Sequence, residues 1–361
     1  MAPGSPWIAE SPKIGGTPTV ARTRPATLVL PMAPNAESRS GVRSIDDAVT
    51  AERIPADVAA SRRAAAELLP ARIAFLGLGL IGGSIAKALH AREIRTTLVA
   101  WTPEARGPRA ALADGVLDAV SASPADAIRE ADLIVLASPP GGVLWHLSDL
   151  AGPLRTAIRS GATITDVAST KALIVENASA YELPFVGGHP MAGRETSGFE
   201  AAAADLFLDR PWVVVPAASA SAIDVSRVEW LATTVGARPL RMTAADHDRA
   251  VAAISHLPLV VAAALVEAVA GAGNDRSGED WPIARALAAT GWADMTRLAR
   301  GDDAMGAGIL ATNAAEVAAR LRDLRRVLDS WIDDLDQGLA PDDRVRARLA
   351  AARARLEETS G

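Results

Sequence analysis

The stretch Arg72-Ile-Ala-Phe-Leu-Gly-Leu-Gly-Leu-Ile-Gly-Gly-Ser84 decides the architecture. Arg72 to Gly77 is a short apolar run closed by glycine, the pattern of a strand buried on both faces. Ile81 to Ala91 reads as a helix. Between them Gly77, Gly79 and Gly82 stand as G-x-G-x-x-G. Gly77 permits the tight turn, Gly79 lets the backbone approach a pyrophosphate, and Gly82 lets the helix pack against the strand. A helix opening here offers phosphates the backbone N–H groups around Leu80 and Ile81 and a positive dipole end. Glycines of this spacing also occur where a turn merely packs a helix closely. Their place between strand and helix favours a dinucleotide site.

Outward from this unit, strands and helices alternate. Thr97–Trp101, Ala131–Ala137, Ala162–Asp166, Pro211–Val215 and Arg238–Met242 read as further strands, and a helix follows from Lys171. Such alternation predicts parallel βαβ units, hence an α/β fold with a Rossmann-type doubly wound sheet over residues 71–243. After Thr243 the strand signals stop. Residues 244–270, 283–300 and 308–336 have helical periodicity, which predicts an all-helical second domain over 244–336 that serves for substrate binding and dimerisation. A homodimer is expected, because long apolar helices need a partner surface. A last helix over 342–358 falls in the tail 337–361, and no second sheet is expected after it. Residues 1–70, rich in Pro, Gly, Ser, Thr and Ala, read as a disordered extension, with helical composition only near 54–69.

Composition narrows the function. The chain has 361 residues, 49% hydrophobic and 22% charged, and carries a net charge of −6. That balance argues against nucleic acid as a partner, since no basic excess is present to neutralise phosphates. An anionic substrate then requires a local cluster of arginine and helix N-termini. With no cysteine in the sequence, disulfides, thiolate metal sites and thiol nucleophiles are ruled out, which suits a reducing cytoplasm; no metal is expected. The most apolar stretch, 257–272, holds Pro258 and Glu267 and is read as a buried helix too short to cross a bilayer. No basic, then apolar, N-terminal pattern of a signal peptide is seen.

The cofactor site is expected at the strand ends. An acidic residue that binds the ribose should lie about 20 residues beyond the glycines. Thr102 stands there instead, in Trp101-Thr-Pro-Glu-Ala-Arg106. Thr102 with Arg106 or Arg109 suits a 2′-phosphate, which leans toward NADP over NAD. The other reading leaves Arg106 solvated and has Glu104 reach the ribose. Ser138, opening the Ser138-Pro-Pro-Gly-Gly142 breaker after a strand, is placed beside the cofactor.

Two further segments mix small and polar residues, as close approach to a ligand requires: Thr165-Asp-Val-Ala-Ser-Thr-Lys171 and Gly187-Gly-His-Pro-Met-Ala-Gly-Arg-Glu-Thr-Ser-Gly198. Taken with Gly79-Leu-Ile-Gly-Gly-Ser84, Ile254-Ser-His-Leu-Pro258, Asp294-Met-Thr-Arg-Leu-Ala299 and Ile309-Leu-x-x-Asn313, they resemble the prephenate/arogenate dehydrogenase family over about residues 72–330. The resemblance implies oxidative decarboxylation of a cyclohexadienol dicarboxylate by NAD(P) on the route to tyrosine, with prephenate the default substrate and arogenate the alternative. It implies that His189 accepts the hydroxyl proton, a task suited to neutral imidazole. Ser169 would orient hydroxyl and histidine, although a serine there also suits a helix N-cap. Arg297 would grip a carboxylate, and the other reading pairs it with Asp294. His256 and Glu195 would contact substrate or shape the site. Lys171 would reach a phosphate or carboxylate, or simply be solvated at the helix start, and Asp166 would orient backbone or Lys171.

The chain departs from the family pattern at Thr170, Leu259 and Met305-Gly306, which touches substrate preference more than reaction type. Two rivals stay open. One is a β-hydroxyacid or 6-phosphogluconate type dehydrogenase that uses Lys171; the other is an NADP-binding redox sensor without turnover.

Overall fold

The computed structural model describes residues 68–194, 196–271, 278–336 and 342–358. The predicted extension over 1–70 lies outside them except for its last three residues. The strands are β1 (Arg72–Leu76), β2 (Thr97–Trp101), β3 (Ala119–Val120), β4 (Leu133–Leu136), β5 (Thr163–Asp166), β6 (Phe185–Pro190), β7 (Pro211–Pro216) and β8 (Arg238–Arg241). They form one sheet in the order β3-β2-β1-β4-β5-β6-β7-β8. The sheet reverses once: β7 runs antiparallel to β6, with Gly188 opposite Val214 and His189 opposite Val213. The expected parallel βαβ pattern is interrupted at this one pair. Residues 191–210, between these strands, contain no helix of the kind that carries a parallel crossover. The edge strand β8 is exposed along its whole length, carries Pro239 and begins and ends in arginine, which blunts it against pairing with another sheet.

Helices cover both faces. These are α1 (Leu80–Ala91), α2 (Arg106–Ala113), α3 (Pro124–Ile128), α4 (Pro140–Ala151), α5 (Ala172–Ala180) and α6 (Ala222–Thr234). Along β1 the period of two divides the core: Ile73 and Phe75 face Ile85 and Leu89 of α1 and Val228 and Leu231 of α6. Ala74 and Leu76 face Ile128 of α3, Val143 and Leu147 of α4 and Ile174 of α5. The doubly wound reading therefore holds, with β1 sandwiched between both layers.

The remainder is helical: α7 (Ala244–Val251), a π-helical turn (Ala252–His256), α8 (Leu257–Ala270), α9 (Trp281–Leu287), α10 (Thr290–Thr296), a 3-10 turn (Arg297–Arg300), α11 (Asp303–Thr312), α12 (Ala314–Asp336) and α13 (Asp342–Glu358). The stretch expected over 283–300 is broken into three pieces, and that over 308–336 is broken at Asn313. Two expectations are corrected. The apolar stretch over 257–272, read as too short to cross a bilayer, is continuous with the turns before it: α7, the π turn and α8 run on as 27 residues over the 244–270 read as helical from the sequence, long and apolar enough to span a membrane. It is also far less buried than expected: of the residues of α8 only Ala262 is buried. Pro258 lacks an N–H, and the widened π turn just before it accommodates the missing helical bond.

Gly188 shows how tightly the sheet edge is built. A Cβ there would stand 2.5 Å from the Asp166 carbonyl oxygen and 3.0 Å from the Trp212 indole nitrogen. Gly188→Ala is expected to lower stability by about 1–3 kcal/mol, the usual cost of overpacking, read as a lower midpoint in thermal unfolding.

Candidate active site

Strands β1, β4, β5 and β6 are parallel neighbours, so their carboxyl ends share one edge of the sheet. The glycine loop follows β1, Ser138 follows β4, Ser169 follows β5, and His189 lies near the end of β6. Open α/β sheets bind ligands along such an edge.

The glycines do separate jobs. Gly77 has φ of +100°, and a Cβ there would lie 2.4 Å from the Ala137 carbonyl oxygen. At Gly82 a Cβ would lie 2.8 Å from the Ala137 Cβ, which sets the close approach of α1 to the sheet. At Gly79 a Cβ would meet no protein atom within 4 Å. That open cradle, at the start of a helix with no acidic residue in its first turn, fits a pyrophosphate. Leu80 and Ile81 are half-buried there. The Ser138 hydroxyl lies 3.4 Å from the Leu76 carbonyl oxygen and 3.3 Å from His146 Nε2. Burial lowers the His146 pKa to about 4, against an opposing pull from Asp149. At the end of β2, Thr102 accepts a hydrogen bond from the Ala105 N–H at 3.0 Å, while Glu104, Arg106 and Arg109 are exposed.

The second half of the site is a buried polar cluster. Asp166 accepts from the backbone N–H groups of Ala168 and Gly188, each at 3.0 Å, and from the Lys171 ammonium. Lys171 is 0% exposed. Its predicted reach to a phosphate or substrate carboxylate is therefore corrected, and so is solvation at the helix start: the ammonium is enclosed against Asp166. Burial pushes the Asp166 carboxyl up and the Lys171 ammonium down, and their mutual attraction opposes both shifts. Wherever the proton resides, the pair stays neutral overall.

Ser169 is half-buried in the bend before α5 and is not its cap. The helix begins without a side-chain cap of its own; Asp248 of α7 accepts instead from Lys171 N–H at 2.7 Å and from Ala172 N–H at 2.8 Å. This frees Ser169 from the capping role. The same carboxylate lies 2.7 Å from His247 Nδ1, and His247 Nε2 lies 2.8 Å from His189 Nδ1. His189 is 9% exposed and His247 1%. Burial, assisted by His247, Lys171 and His256, holds the His189 pKa well below 6.5, so the ring is neutral.

His256, on the π turn, is buried, and burial lowers its pKa to about 4. Its Nδ1 lies 3.2 Å from the Asn313 amide, which also donates to the Asp248 carbonyl at 2.8 Å. Thr170 meets Thr312 of α11 at 2.8 Å. Arg297 is exposed on the 3-10 turn that packs against α8. Glu195 lies outside the described residues. His247 and Asp248 were missed by the sequence reading. Their signal was an adjacent His-Asp pair in a chain with five histidines, nine residues before His256.

Comparison with known proteins agrees with this geometry. The family profile "Prephenate dehydrogenase, nucleotide-binding domain" matches residues 85–240, and "Prephenate dehydrogenase, dimerization domain" matches 243–342. The chain is 33% identical over 270 residues to a prephenate dehydrogenase of Bacillus subtilis, covering 73% of this chain and 68% of the relative. It is 32% identical over 270 residues to a cyclohexadienyl dehydrogenase of Zymomonas mobilis, covering 73% and 85%. The crystal structure of Synechocystis arogenate dehydrogenase superimposes with a TM-score of 0.65 at 30% identity, covering 79% of this chain and 99% of that one.

The glycine loop gives a direct test of cofactor binding. Gly79→Ala is expected to leave the unfolding midpoint almost unchanged while weakening dinucleotide binding by roughly tenfold or more, because the added methyl occupies only the phosphate cradle. Gly77→Ala is expected to lower the midpoint as well. Titration of cofactor alongside thermal unfolding separates the two.

With the glycine cradle, the buried histidine at the end of β6 and both family profiles in register along it, this chain belongs to the prephenate dehydrogenase family of NAD(P)-dependent oxidoreductases.

Proposed function

We propose that the protein oxidatively decarboxylates prephenate to 4-hydroxyphenylpyruvate in tyrosine biosynthesis. The observation that carries this reading is His189: a neutral imidazole at the ligand-binding edge of the sheet, with Nδ1 engaged by His247 and Nε2 unbonded among the described residues. Gly77, Gly79, Leu80, Ile81, Gly82 and Ser138 would hold the dinucleotide. A bound oxidised nicotinamide supplies the hydride acceptor. As C4 of the substrate loses its hydride, the C4 hydroxyl gains carbonyl character and its proton passes to Nε2 of His189. The electron pair of the ring–carboxylate bond passes through the ring to the C4 oxygen, CO₂ departs, and the resulting phenolate takes a proton back from the His189 imidazolium, leaving the aromatic phenol and a neutral ring.

Ser169, free of the capping duty, would orient the hydroxyl. Arg297 would grip a carboxylate in the bidentate geometry that guanidinium favours. His256 would shape the pocket wall from its place against Asn313. Thr102 and the exposed Arg106 favour NADP, since no carboxylate ends β2 to bind a ribose 2′-hydroxyl. Arogenate is the second reading, favoured by the likeness to the Synechocystis enzyme. No carboxylate is assigned to meet its side-chain ammonium.

We also propose a cytoplasmic homodimer. The match to the family's dimerization domain spans α8, and Ile254 is 69% exposed and Leu287 77%. A second copy would cover such a surface.

Purified protein given prephenate or arogenate, each with NAD or NADP, tests the reading: nicotinamide reduction is expected, fastest with prephenate and NADP. No turnover in any of the four mixtures, with dinucleotide binding intact, would favour a sensor. His189→Asn is expected to lower turnover by about 10²–10⁴-fold with cofactor affinity retained.

Arg297→Gln is expected to act mainly on KM for the substrate. An unchanged KM would assign Arg297 a structural role.

A further inference from the structure

The chain of hydrogen bonds from Asp248 through His247 to His189 has a direction. The Asp248 carboxylate accepts from two backbone N–H groups at the start of α5. Burial pushes its pKa up, but the bonds from His247, Ala172 and Lys171 prevail and hold it below the usual carboxylate range. An ionised carboxylate only accepts hydrogen bonds. His247 Nδ1, 2.7 Å from Oδ1, must therefore carry hydrogen.

A neutral imidazole has one N–H. In a neutral His247 whose one hydrogen is on Nδ1, Nε2 turns a lone pair toward His189. The contact with His189 Nδ1 at 2.8 Å then requires His189 to be the donor. The neutral His189 ring has its single hydrogen at Nδ1 as a result, and its Nε2 is bare. The rings meet nearly edge-on, 75° between planes, with both nitrogens of His247 engaged and 1% of that residue exposed. Rotation of His247 would break both contacts.

We propose that His247 and Asp248 are positioning residues that lock His189 in its Nδ1–H tautomer, presenting a bare Nε2 to the substrate hydroxyl. The inference rests on the reading of His189 as proton acceptor and adds the reason that it can accept. The opposite tautomer would place a hydrogen on Nε2 and make the ring a donor at the position where a base is needed. The Nδ1–H form is the less common tautomer of a free histidine side chain, so a fixed acceptor is needed to favour it. The logic is that of a triad, in which an aspartate holds a histidine in the productive tautomer. Here a second imidazole stands between the carboxylate and the base.

The first test is ¹⁵N spectroscopy of the full-length protein labelled at histidine, with five histidines to resolve and His189→Asn identifying the relevant signals. A protonated Nδ1 and a bare Nε2 on His189 are expected. The reverse tautomer overturns the proposal whatever the activity. Kinetics provide the second test. His247→Gln carries its amide oxygen to about the position of Nε2 and can still accept from His189; its kcat is expected within about tenfold of the parent. His247→Leu offers no acceptor and is expected to lose about 10²-fold or more in kcat, with KM and cofactor affinity little changed. Equal losses in the two variants would overturn the proposal, because a purely structural role would not distinguish an acceptor from its absence. Should the Leu variant fail to fold, the spectrum of the parent protein and the kcat of the Gln variant still decide. The expected tautomer together with undiminished turnover in His189→Asn would overturn only the acceptor reading.

Discussion

The Asp248 carboxylate is the contact on which the arrangement of the site depends. A helix start leaves backbone N–H groups unsatisfied, and a negative charge placed there is favoured by the helix dipole. Helix α5 has no side-chain cap of its own, and α7 supplies one in Asp248. One carboxylate therefore docks the helical half of the chain on the sheet and orients the histidine pair. Asn313 adds a third hold, since its amide donates to the Asp248 carbonyl and lies against His256. A disturbance of this carboxylate would be felt both in the packing of the helices and in the direction of the His189 ring.

Beneath this contact lies the buried pair of Asp166 and Lys171. Isolating two charges from water costs several kcal/mol per ion, and only good geometry with additional hydrogen bonds offsets it. Asp166 meets that condition with two backbone donors besides the ammonium. The gain is positional: one of those donors is the N–H of Gly188, so the pair ties the end of β5 to the residue before His189. Gly187 and Gly188 leave the room this requires, for a Cβ at Gly187 would come within 2.9 Å of the Lys171 side chain.

The helical half presents the opposite character. A few polar groups, His247, His256 and Asn313 among them, are buried around Asp248, while much of its apolar surface is turned outward. Only 22% of the most apolar window of 244–270 is buried within the chain. A helix with such a surface calls for a cover. In the proposed homodimer a second copy would cover it, through the region that the dimerization-domain profile matches.

Local chemistry determined a good deal by itself. The glycine spacing at 77, 79 and 82 marked a strand-loop-helix unit: the positive φ at Gly77 is a local demand that favours glycine, the close approach at Gly82 is set by Ala137 of the neighbouring strand's end, and Gly79 is left open for a ligand. The doubly wound sheet followed from short apolar runs alternating with helical segments, and the helical half from a period of 3.6. The antiparallel turn of β7 was not legible, since strand direction depends on the connection rather than on the strand's own residues. Nor was β6, whose Gly-Gly-His-Pro carries no strand signal and is held extended by its neighbours. The individual motifs around His189, Ser169 and His256 were visible, but their partners were not. Lys171 read as a ligand-reaching or solvated cation; Asp166 does orient it and the backbone as expected, but the complete enclosure of the ammonium was not visible, and Ser169 read equally as a cap until Asp248, 79 positions away, took that place. Sequence determines what each residue can donate or accept. Tertiary structure decided which partner it meets, because burial forces every polar group to find one and the nearest in space is far along the chain.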